Sequence, residues 1–218
     1  MGVLRLSASV TMQNEELDRL IAMSQYEKPF WDSGALVAGI DEAGRGPLAG
    51  PCVAAAVVMP RGCLIAGVDD SKKLTEKKRE ALYEEITDKA LCYAVGVSDS
   101  GLIDEINILN AAKRAFAQAI AGLSIQPDYV FSDRIGGIEI ECPYEEITGG
   151  DALCYSIAAA SIIAKVTRDR MMRGYEQQYP GYGFAKHKGY ATKQHRECIL
   201  ELGVCEIHRM SFLKKLIG

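Results

Sequence analysis

The sequence lacks a Cys-x-x-Cys pair and any apolar run long enough to cross a bilayer. Its longest apolar run, residues 153–164, is interrupted by two serines and is well short of the ~20 residues that a membrane helix needs. Its seven cysteines, an odd number, fit free thiols in a reducing compartment rather than a zinc knuckle. The net charge of -4 gives no overall attraction to nucleic acid. Membrane proteins and disulfide-stapled secreted proteins are therefore excluded.

Also missing are internal repeats, low-complexity segments and a secretory signal. Arg5 is not followed by a long apolar segment, so we expect a soluble cytoplasmic protein with no membrane contact. The composition, 48% hydrophobic and 25% charged, is that of a globular chain with a sizeable core.

Apolar runs and capping residues predict a mixed α/β fold. Strands are expected over residues 35–41, 52–59, 91–97 and 129–132. The second should be buried on both faces, because its apolar run does not alternate. Helices are expected over residues 14–26 (ended by Pro29), 75–89, 103–123, 151–175 and 192–202. Residues 135–146 are rich in turn formers, with room for a hairpin.

Four acids stand at the ends of apolar segments: Asp41, Glu42, Asp133 and Asp151. The carboxyl ends of strands in open α/β sheets gather on one edge, so these side chains can converge. Four carboxylates in one pocket would repel one another unless a cation holds them. Hard oxygen ligands suit Mg²⁺ or Mn²⁺, and two such ions ~4 Å apart would flank a phosphate.

Simpler explanations exist for some of these acids. Asp151 follows two glycines and would serve as an ordinary helix N-cap, and Asp133 would serve as a turn residue. Asp41 and Glu42 are harder to explain in that way, since they lie between a strand and a glycine-rich loop. Strand alternation sends neighbouring side chains to opposite faces. We therefore expect Glu42 to bind from a distorted segment.

Two loops have the composition of nucleic-acid contacts. Gly44, Arg45 and Gly46 would let backbone N–H groups approach a phosphate or a 2′-hydroxyl, with the arginine adding charge. The loop from Phe184 to Tyr190 combines cations, a histidine and aromatic rings, which suits phosphate contact with stacking on a sugar or base.

Positive charge is concentrated locally despite the acidic total. Residues 161–196 hold eight Lys and Arg against two acids. Ser161, Lys165 and Arg168 share a helix face that could meet a phosphate backbone. Two further basic clusters are Lys72, Lys73, Lys77, Lys78 and Arg79, and then Arg209, Lys214 and Lys215.

Several motifs of the sequence resemble those of the bacterial ribonuclease HII family. The resemblance covers about Val37 to Phe212, with several motifs in order. The matching segments are Asp41 to Pro51, Asp70 to Leu74, Ile157 to Asp169, Tyr182 to Tyr190 (Ala185 apart), and His208, Arg209, Ser211 and Phe212.

The resemblance implies a ribonuclease H-like fold, with a central mixed five-stranded sheet flanked by helices and a C-terminal helical extension. We expect an N-terminal arm with a short helix over residues 1–34. A catalytic domain over 35–218 would follow, helical from about residue 176. The implied substrates are RNA–DNA hybrids and duplex DNA with embedded ribonucleotides, cut by a monomer to leave 5′-phosphate and 3′-hydroxyl ends.

The resemblance also assigns residues. The metal-binding acids, for two Mn²⁺ or Mg²⁺ ions with substrate bound, are Asp41, Glu42, Asp133 and Asp151. Gly44, Arg45 and Gly46 would read the 2′-hydroxyl at the RNA–DNA junction, and Tyr190 would stack on the next deoxyribose. With the basic surfaces, the candidate substrate-binding residues are Gly44, Arg45, Gly46, Lys72, Ser161, Lys165, Lys188 and Tyr190.

Two positions depart from the family pattern. Gly149 stands where the family has a lysine, and Arg134 stands where it often has a glycine. We expect Arg134 to depress the pKa of a neighbouring acid or to replace part of the missing lysine's charge.

Two other functions compete with this one. A Holliday-junction resolvase or transposase-like nuclease would also use acids and metal, but it has no need for a 2′-hydroxyl reader. A non-catalytic nucleic-acid-binding module would not keep four acids, because uncompensated acids weaken phosphate binding.

Overall fold

The computed structural model describes residues 14–217, and the side chains of residues 14–214. Its centre is one sheet in the order β3-β2-β1-β4-β5. The strands are β1 (Val37–Ala43), β2 (Cys52–Val58), β3 (Cys92–Ser98), β4 (Tyr129–Asp133) and β5 (Tyr144–Ile147). The first three pair antiparallel, while β4 and β5 run parallel to β1. The expected mixed five-stranded sheet is confirmed.

Helices cover both faces of this sheet. They are α1 (residues 14–23), α2 (Lys28–Ser33), α3 (Glu76–Lys89), α4 (Ser100–Ala121), α5 (Gly150–Leu153), α6 (Tyr155–Gln178), α7 (Phe184–His187), α8 (Lys193–Leu202) and α9 (Met210–Ile217). Residues 1–13 of the predicted arm lie outside the described part. Over residues 14–217, none of the helices has both the length and the apolarity to cross a membrane.

The strand β2 is buried along its whole length, as its uninterrupted apolar run predicts. Ala55 and Val57 face a cluster that includes the centre of α6, whereas Ala54 and Ala56 face a cluster that includes Phe116 of α4. The sheet is therefore sandwiched between α6 on one side and α4 on the other.

Small residues allow α6 to lie very close to β1. A Cβ on Gly39 would stand 2.0 Å from the carbonyl carbon of Ser156 and 2.4 Å from the amide nitrogen of Ile157. Both atoms belong to the backbone at the start of α6, so no side chain can move aside. This approach fixes the distance between the end of β1 and the segment that precedes α6.

Threonine side chains cap the starts of two helices. The side chain of Thr75 accepts a hydrogen bond from the backbone N–H of Lys78 at the start of α3, and Thr192 does the same for His195 at α8. Phe30 of α2 packs edge-on against Phe131 of β4, with ring centroids 5.6 Å apart, and Trp31 is buried. These two aromatic residues dock α2 on the body of the protein.

Three details of the predicted elements are wrong. Pro29 begins α2 instead of ending a helix, because its fixed φ suits a first turn. The helix α4 is kinked at Asn107 (φ 67°), whose side chain accepts N–H bonds from Leu109 and Asn110 and so caps the second half. The turn-rich segment after β4 forms no hairpin, since β5 pairs parallel to β4.

The predicted helix over residues 151–175 is also broken, at Cys154. This residue is extended (φ -122°, ψ 123°) and separates α5 from α6. The carboxylate of Glu27, fully buried, accepts hydrogen bonds from the backbone N–H and the hydroxyl of Ser156 and from the thiol of Cys154. Glu27 thus satisfies the N–H of Ser156 at the start of α6, which a continuous helix would have paired within itself.

Candidate active site

Three of the predicted acids converge at one end of the sheet. Asp41 lies near the end of β1, Asp133 ends β4, and Asp151 lies in the first turn of α5. One carboxylate oxygen of each lies within 4.8 Å of those of the other two. The parallel pairing of β1 with β4 puts the ends of both strands at the same edge, as expected from the topology.

Backbone and lysine donors hold two of these carboxylates. The N–H of Gly150 donates to Oδ1 of Asp133 over 2.8 Å, and Nζ of Lys72 donates to Oδ2 of Asp151 over 2.7 Å. Burial would lower the pKa of Lys72, but the hydrogen bond to Asp151 and the charges of Asp151, Asp41 and Asp70 together raise it. Lys72 thus stays charged beside the acids.

The acids are held in an electrostatically unfavourable arrangement. Burial, followed by the charges of Glu42 and Asp133, raises the pKa of Asp41 well above its usual value. Burial also raises the pKa values of Glu42 and Asp133. Buried carboxylates that repel one another are stabilised most directly by a bound cation.

Glu42 does not lie on a distorted segment, and that prediction is wrong. The strand β1 pairs with β2 in unbroken register from Ala38 through Ala43, so Glu42 has regular strand geometry. Alternation places its side chain on the face of Ile40, under α4, and the side chain of Asp41 on the face of α6.

The open edge of β1 explains how Glu42 still approaches the acids. The last residue of β1 that pairs with β4 is Ile40, so β1 continues beyond its parallel neighbour. Burial raises the pKa of Glu42, and the charge of Asp133 raises it further. Oε2 of Glu42 is buried and has no hydrogen-bond partner among the described residues.

These residues fit a divalent metal. The donor set consists of hard carboxylate oxygens, and Oε2 of Glu42 is a buried oxygen that nothing else within residues 14–214 satisfies. Mg²⁺ and Mn²⁺ prefer such oxygen ligands. Asp41, Asp133 and Asp151 would form the core of the site, with Glu42 at its margin.

The cation beside these acids is Lys72, rather than Arg134. Its charge lowers the pKa of Asp133 in part, whereas Arg134 is exposed and is not among the groups that shift it. The expectation that Arg134 would depress a neighbouring pKa is therefore not met. A Cβ on Gly149 would meet open space, but its φ of +70° would strain any other residue.

The two loops predicted to contact nucleic acid lie side by side. The N–H of Leu48 donates to the carbonyl of Gly189 over 2.8 Å, which joins the Gly-Arg-Gly loop to the Tyr190 loop. Arg45, Gly46 and Tyr190 are all exposed. Arg45 lies 3.4 Å from Glu42, so this surface adjoins the acids.

Other predicted contacts are less accessible. Lys165 is 5.8 Å from the ring centroid of Tyr190 but is paired with Asp169. Ser161 is buried and donates to the carbonyl of Ala158, and Lys188 is buried and donates to that of Ala185. Phosphate contact by either residue is contradicted by this burial.

The prediction that Arg168 meets a phosphate is also wrong. It is fully buried, and its guanidinium donates to the carbonyls of Pro51, Ala49 and Lys188. Arg209, which the sequence placed in a basic cluster, is fully buried as well. Charge counting assigns every arginine to the surface, and no local pattern marks these two as internal.

All three histidines of the chain stack beneath the Tyr190 loop. The rings of His187 and His195 lie 4.3 Å apart, and Nε2 of His195 is 3.2 Å from Nε2 of His208. Nδ1 of His195 donates to the carbonyl of Tyr190, while the N–H of Gly189 donates to Nδ1 of His187. His208 also meets Cys205, at a Cys-x-x-His spacing, through hydrogen bonds.

The histidines make the stability of the protein depend on pH. Burial lowers the pKa of His195 from 6.5 to about 4, so the unfolded chain takes up this proton first as the pH falls. The free energy of unfolding should therefore decrease between pH 6.5 and about pH 4. We expect denaturant unfolding to show a larger loss from pH 7 to pH 5 in the wild type than in His195→Asn. Equal losses would contradict a neutral buried His195.

Comparison with known proteins decides the family. A family model described as Ribonuclease HII matches residues 38–215. The chain belongs to the ribonuclease HII family. It is therefore a metal-dependent hydrolase of the ribonuclease H type. The family expected from the motifs is confirmed.

Relatives and solved structures agree. The chain is 53% identical to ribonuclease HII of Acetivibrio thermocellus over 204 residues, which is 93% of this chain and 80% of the relative. It is 57% identical to that of Geobacter metallireducens over 176 residues, 81% and 83% of the two chains.

Among solved structures, ribonuclease H2 from Pyrococcus horikoshii matches with a TM-score of 0.69 at 30% identity. That match covers 81% of this chain and 93% of the other. Archaeoglobus fulgidus RNase HII, solved with PCNA, matches with a TM-score of 0.68 at 29% identity, covering 84% and 97%.

Proposed function

We propose that the protein is an endonuclease that cuts the RNA strand of RNA–DNA hybrids and nicks duplex DNA at single embedded ribonucleotides. Cleavage is by hydrolysis with two divalent ions, Mn²⁺ or Mg²⁺, and leaves 5′-phosphate and 3′-hydroxyl ends. The observation that carries the proposal is the convergence of Asp41, Asp133 and Asp151 within 4.8 Å, next to an exposed Gly-Arg-Gly loop.

The acids of this chain place the reacting groups. Metal ions, when bound, polarise the scissile phosphate and activate water. Asp41, Asp133 and Asp151 would hold the ions, and Glu42 would contribute the oxygen that has no other partner among the described residues. The N–H of Gly150 holds the carboxylate of Asp133 in place through Oδ1.

Lys72 has a different role in the proposed reaction. Its side chain is 76% exposed, although its Nζ is 2.7 Å from Asp151. A long exposed cation can leave a carboxylate for a phosphate when metal takes its place. We assign Lys72 to substrate phosphate binding on this basis.

The neighbouring loops would discriminate ribose from deoxyribose. Arg45 and Gly46 present backbone N–H groups close to the acids, and Tyr190 offers an exposed ring on the joined loop. The 2′-hydroxyl of a ribose can accept hydrogen bonds from such N–H groups, whereas a deoxyribose has no 2′-oxygen to accept them. A junction resolvase would gain nothing from this arrangement, so ribonucleotide recognition is the better fit.

A nicking assay tests this function. Duplex DNA with one ribonucleotide is incubated with the protein and Mg²⁺ or Mn²⁺, and the ends are identified by their ability to be ligated or extended. We expect a nick at the ribonucleotide only, with no cleavage in EDTA. The all-DNA duplex of the same sequence is the control. An uncut ribonucleotide duplex with both metals would rule out the proposal.

A further inference from the structure

The guanidinium of Arg209 lies inside the Gly-Arg-Gly loop and not on the surface. It donates to the carbonyls of Gly44 (2.6 Å), Arg45 (3.0 Å) and Gly50 (2.7 and 2.9 Å). Within residues 14–214, neither Arg209 nor Arg168 pairs with a carboxylate within 4.0 Å. Two buried charges are therefore satisfied largely by loop carbonyls, an arrangement that strongly fixes the loop.

Glycine at position 44 makes this arrangement possible. Its φ is +99°, and a Cβ there would stand 2.1 Å from Nε of Arg168 and 2.6 Å from the carbonyl of Pro51. The backbone at Gly44 can therefore lie this close to Arg168 and Pro51 only because it has no side chain. Burial and the charge of Arg168 lower the pKa of Arg209 to about 10, so it remains protonated at neutral pH.

Peptide geometry converts these inward carbonyls into outward donors. In a trans peptide, the N–H of one residue points opposite to the C=O of the residue before it. The inward carbonyls of Gly44 and Arg45 therefore turn the N–H groups of Arg45 and Gly46 away from Arg209. Among the hydrogen bonds of residues 14–214, neither N–H donates to an acceptor within the chain.

We propose that Arg209 is a positioning residue for ribonucleotide recognition: through the carbonyls of Gly44 and Arg45, it aims two adjacent N–H donors at the sugar hydroxyl. This inference rests on the proposed function. Arg168 also holds this region in place. It links Ala49 and Pro51, which follow the Gly-Arg-Gly loop, to Lys188 of the Tyr190 loop. The two loops thus form one rigid surface.

Arg209→Lys tests the proposal. Lysine keeps the charge but has one nitrogen, which cannot reach the three carbonyls in the planar arrangement of a guanidinium. Equilibrium binding is measured in EDTA for the ribonucleotide duplex and for the all-DNA duplex. We expect the preference for the ribonucleotide duplex to fall about tenfold, as loss of one or two hydrogen bonds implies, with all-DNA binding changed less than twofold.

The matched control is Arg170→Lys. Arg170 lies on α6, is exposed and pairs with Glu80 and Glu84 of α3, away from both loops. We expect its preference and its nicking rate to equal those of the wild type. If Arg209 had a merely structural role, Arg209→Lys would weaken binding to both duplexes equally or would reduce the folded fraction, which circular dichroism reports.

A second variant covers the case in which Arg209→Lys does not fold. Phe212→Leu removes the ring whose centroid is 5.2 Å from the guanidinium but leaves every carbonyl contact available. We expect a smaller loss of preference in the same direction. An unchanged preference in folded Arg209→Lys, with wild type nicking normally, overturns the role of Arg209 alone. A wild type with neither nicking nor preference overturns the proposed function as well.

Discussion

Asp41→Asn is expected to lower the rate of metal-dependent cleavage by about a thousandfold or more, since loss of a metal ligand removes several kcal/mol of transition-state stabilisation. The change is isosteric, and the amide oxygen can still accept the N–H of Glu42 that Oδ1 of Asp41 accepts over 2.7 Å. Cleavage is measured on the ribonucleotide duplex, and binding on the same duplex in EDTA. Binding should be largely retained.

The same variant should be more stable than the wild type when no metal is present. The folded-state pKa of Asp41 is raised by burial and by the charges of Glu42 and Asp133, so the folded state holds its proton to higher pH than the unfolded state does. The wild type therefore loses stability as the pH rises from about 4 through that raised pKa. An asparagine has no charge to bury, and its gain should be largest at neutral pH.

Bound metal should reverse the order of stability of the wild type and Asp41→Asn. Addition of Mn²⁺ should raise the thermal midpoint of the wild type, because a ligand that binds only the folded state stabilises it, and should raise that of Asp41→Asn much less. Asp32→Asn is the matched control, since Asp32 is exposed and pairs with Lys28 and Arg61 on the surface. Wild-type cleavage by Asp41→Asn, or equal stabilisation of both proteins by metal, would contradict the assignment.

Gly39→Ala is expected to destabilise the protein by roughly 3 kcal/mol or more. The new Cβ would lie 2.0 Å and 2.2 Å from the carbonyl carbon and oxygen of Ser156. These are backbone atoms, so α6 must move away from β1. Asp41 is two residues further on the same face, and Asp151 lies just before α6. The variant should therefore also lose cleavage activity in whatever fraction remains folded.

Gly174→Ala provides the comparison for this variant. Gly174 lies within α6, and a Cβ there would meet nothing within 4 Å. Alanine favours the helix by up to about 1 kcal/mol over glycine, so this variant should be neutral or more stable. Denaturant unfolding measures both variants. A Gly39→Ala protein with wild-type stability would mean that α6 can shift freely, and the account of how β1 and α6 fix the acids would fail.

Much of the fold follows from local patterns in the sequence. The strand β2 is predicted because an uninterrupted apolar run suits a strand that is buried on both faces, and the start of α3 is predicted because Thr75 can cap it. The predicted convergence of Asp41, Asp133 and Asp151 follows from a topological rule about strand ends. Each of these depends on neighbours in sequence or on strand order.

Two of the errors have a common cause. The break at Cys154 depends on Glu27, which lies 127 residues earlier in the chain. The regular geometry at Glu42 depends on continued pairing with β2 after β4 has ended. In each case a contact distant in sequence outweighs the local preference of the chain.

The sequence alone determined the family, the buried sheet and the acids, because motifs, periodicity and strand ends can all be recognised from residues that are neighbours in sequence. Only the tertiary structure decided which charged residues face solvent. Lys72 remains exposed beside the acids, whereas Arg168 and Arg209 turn inward to loop carbonyls. The physical reason is that burial of a charge depends on the partners that surround it, and those partners come together only when the chain folds.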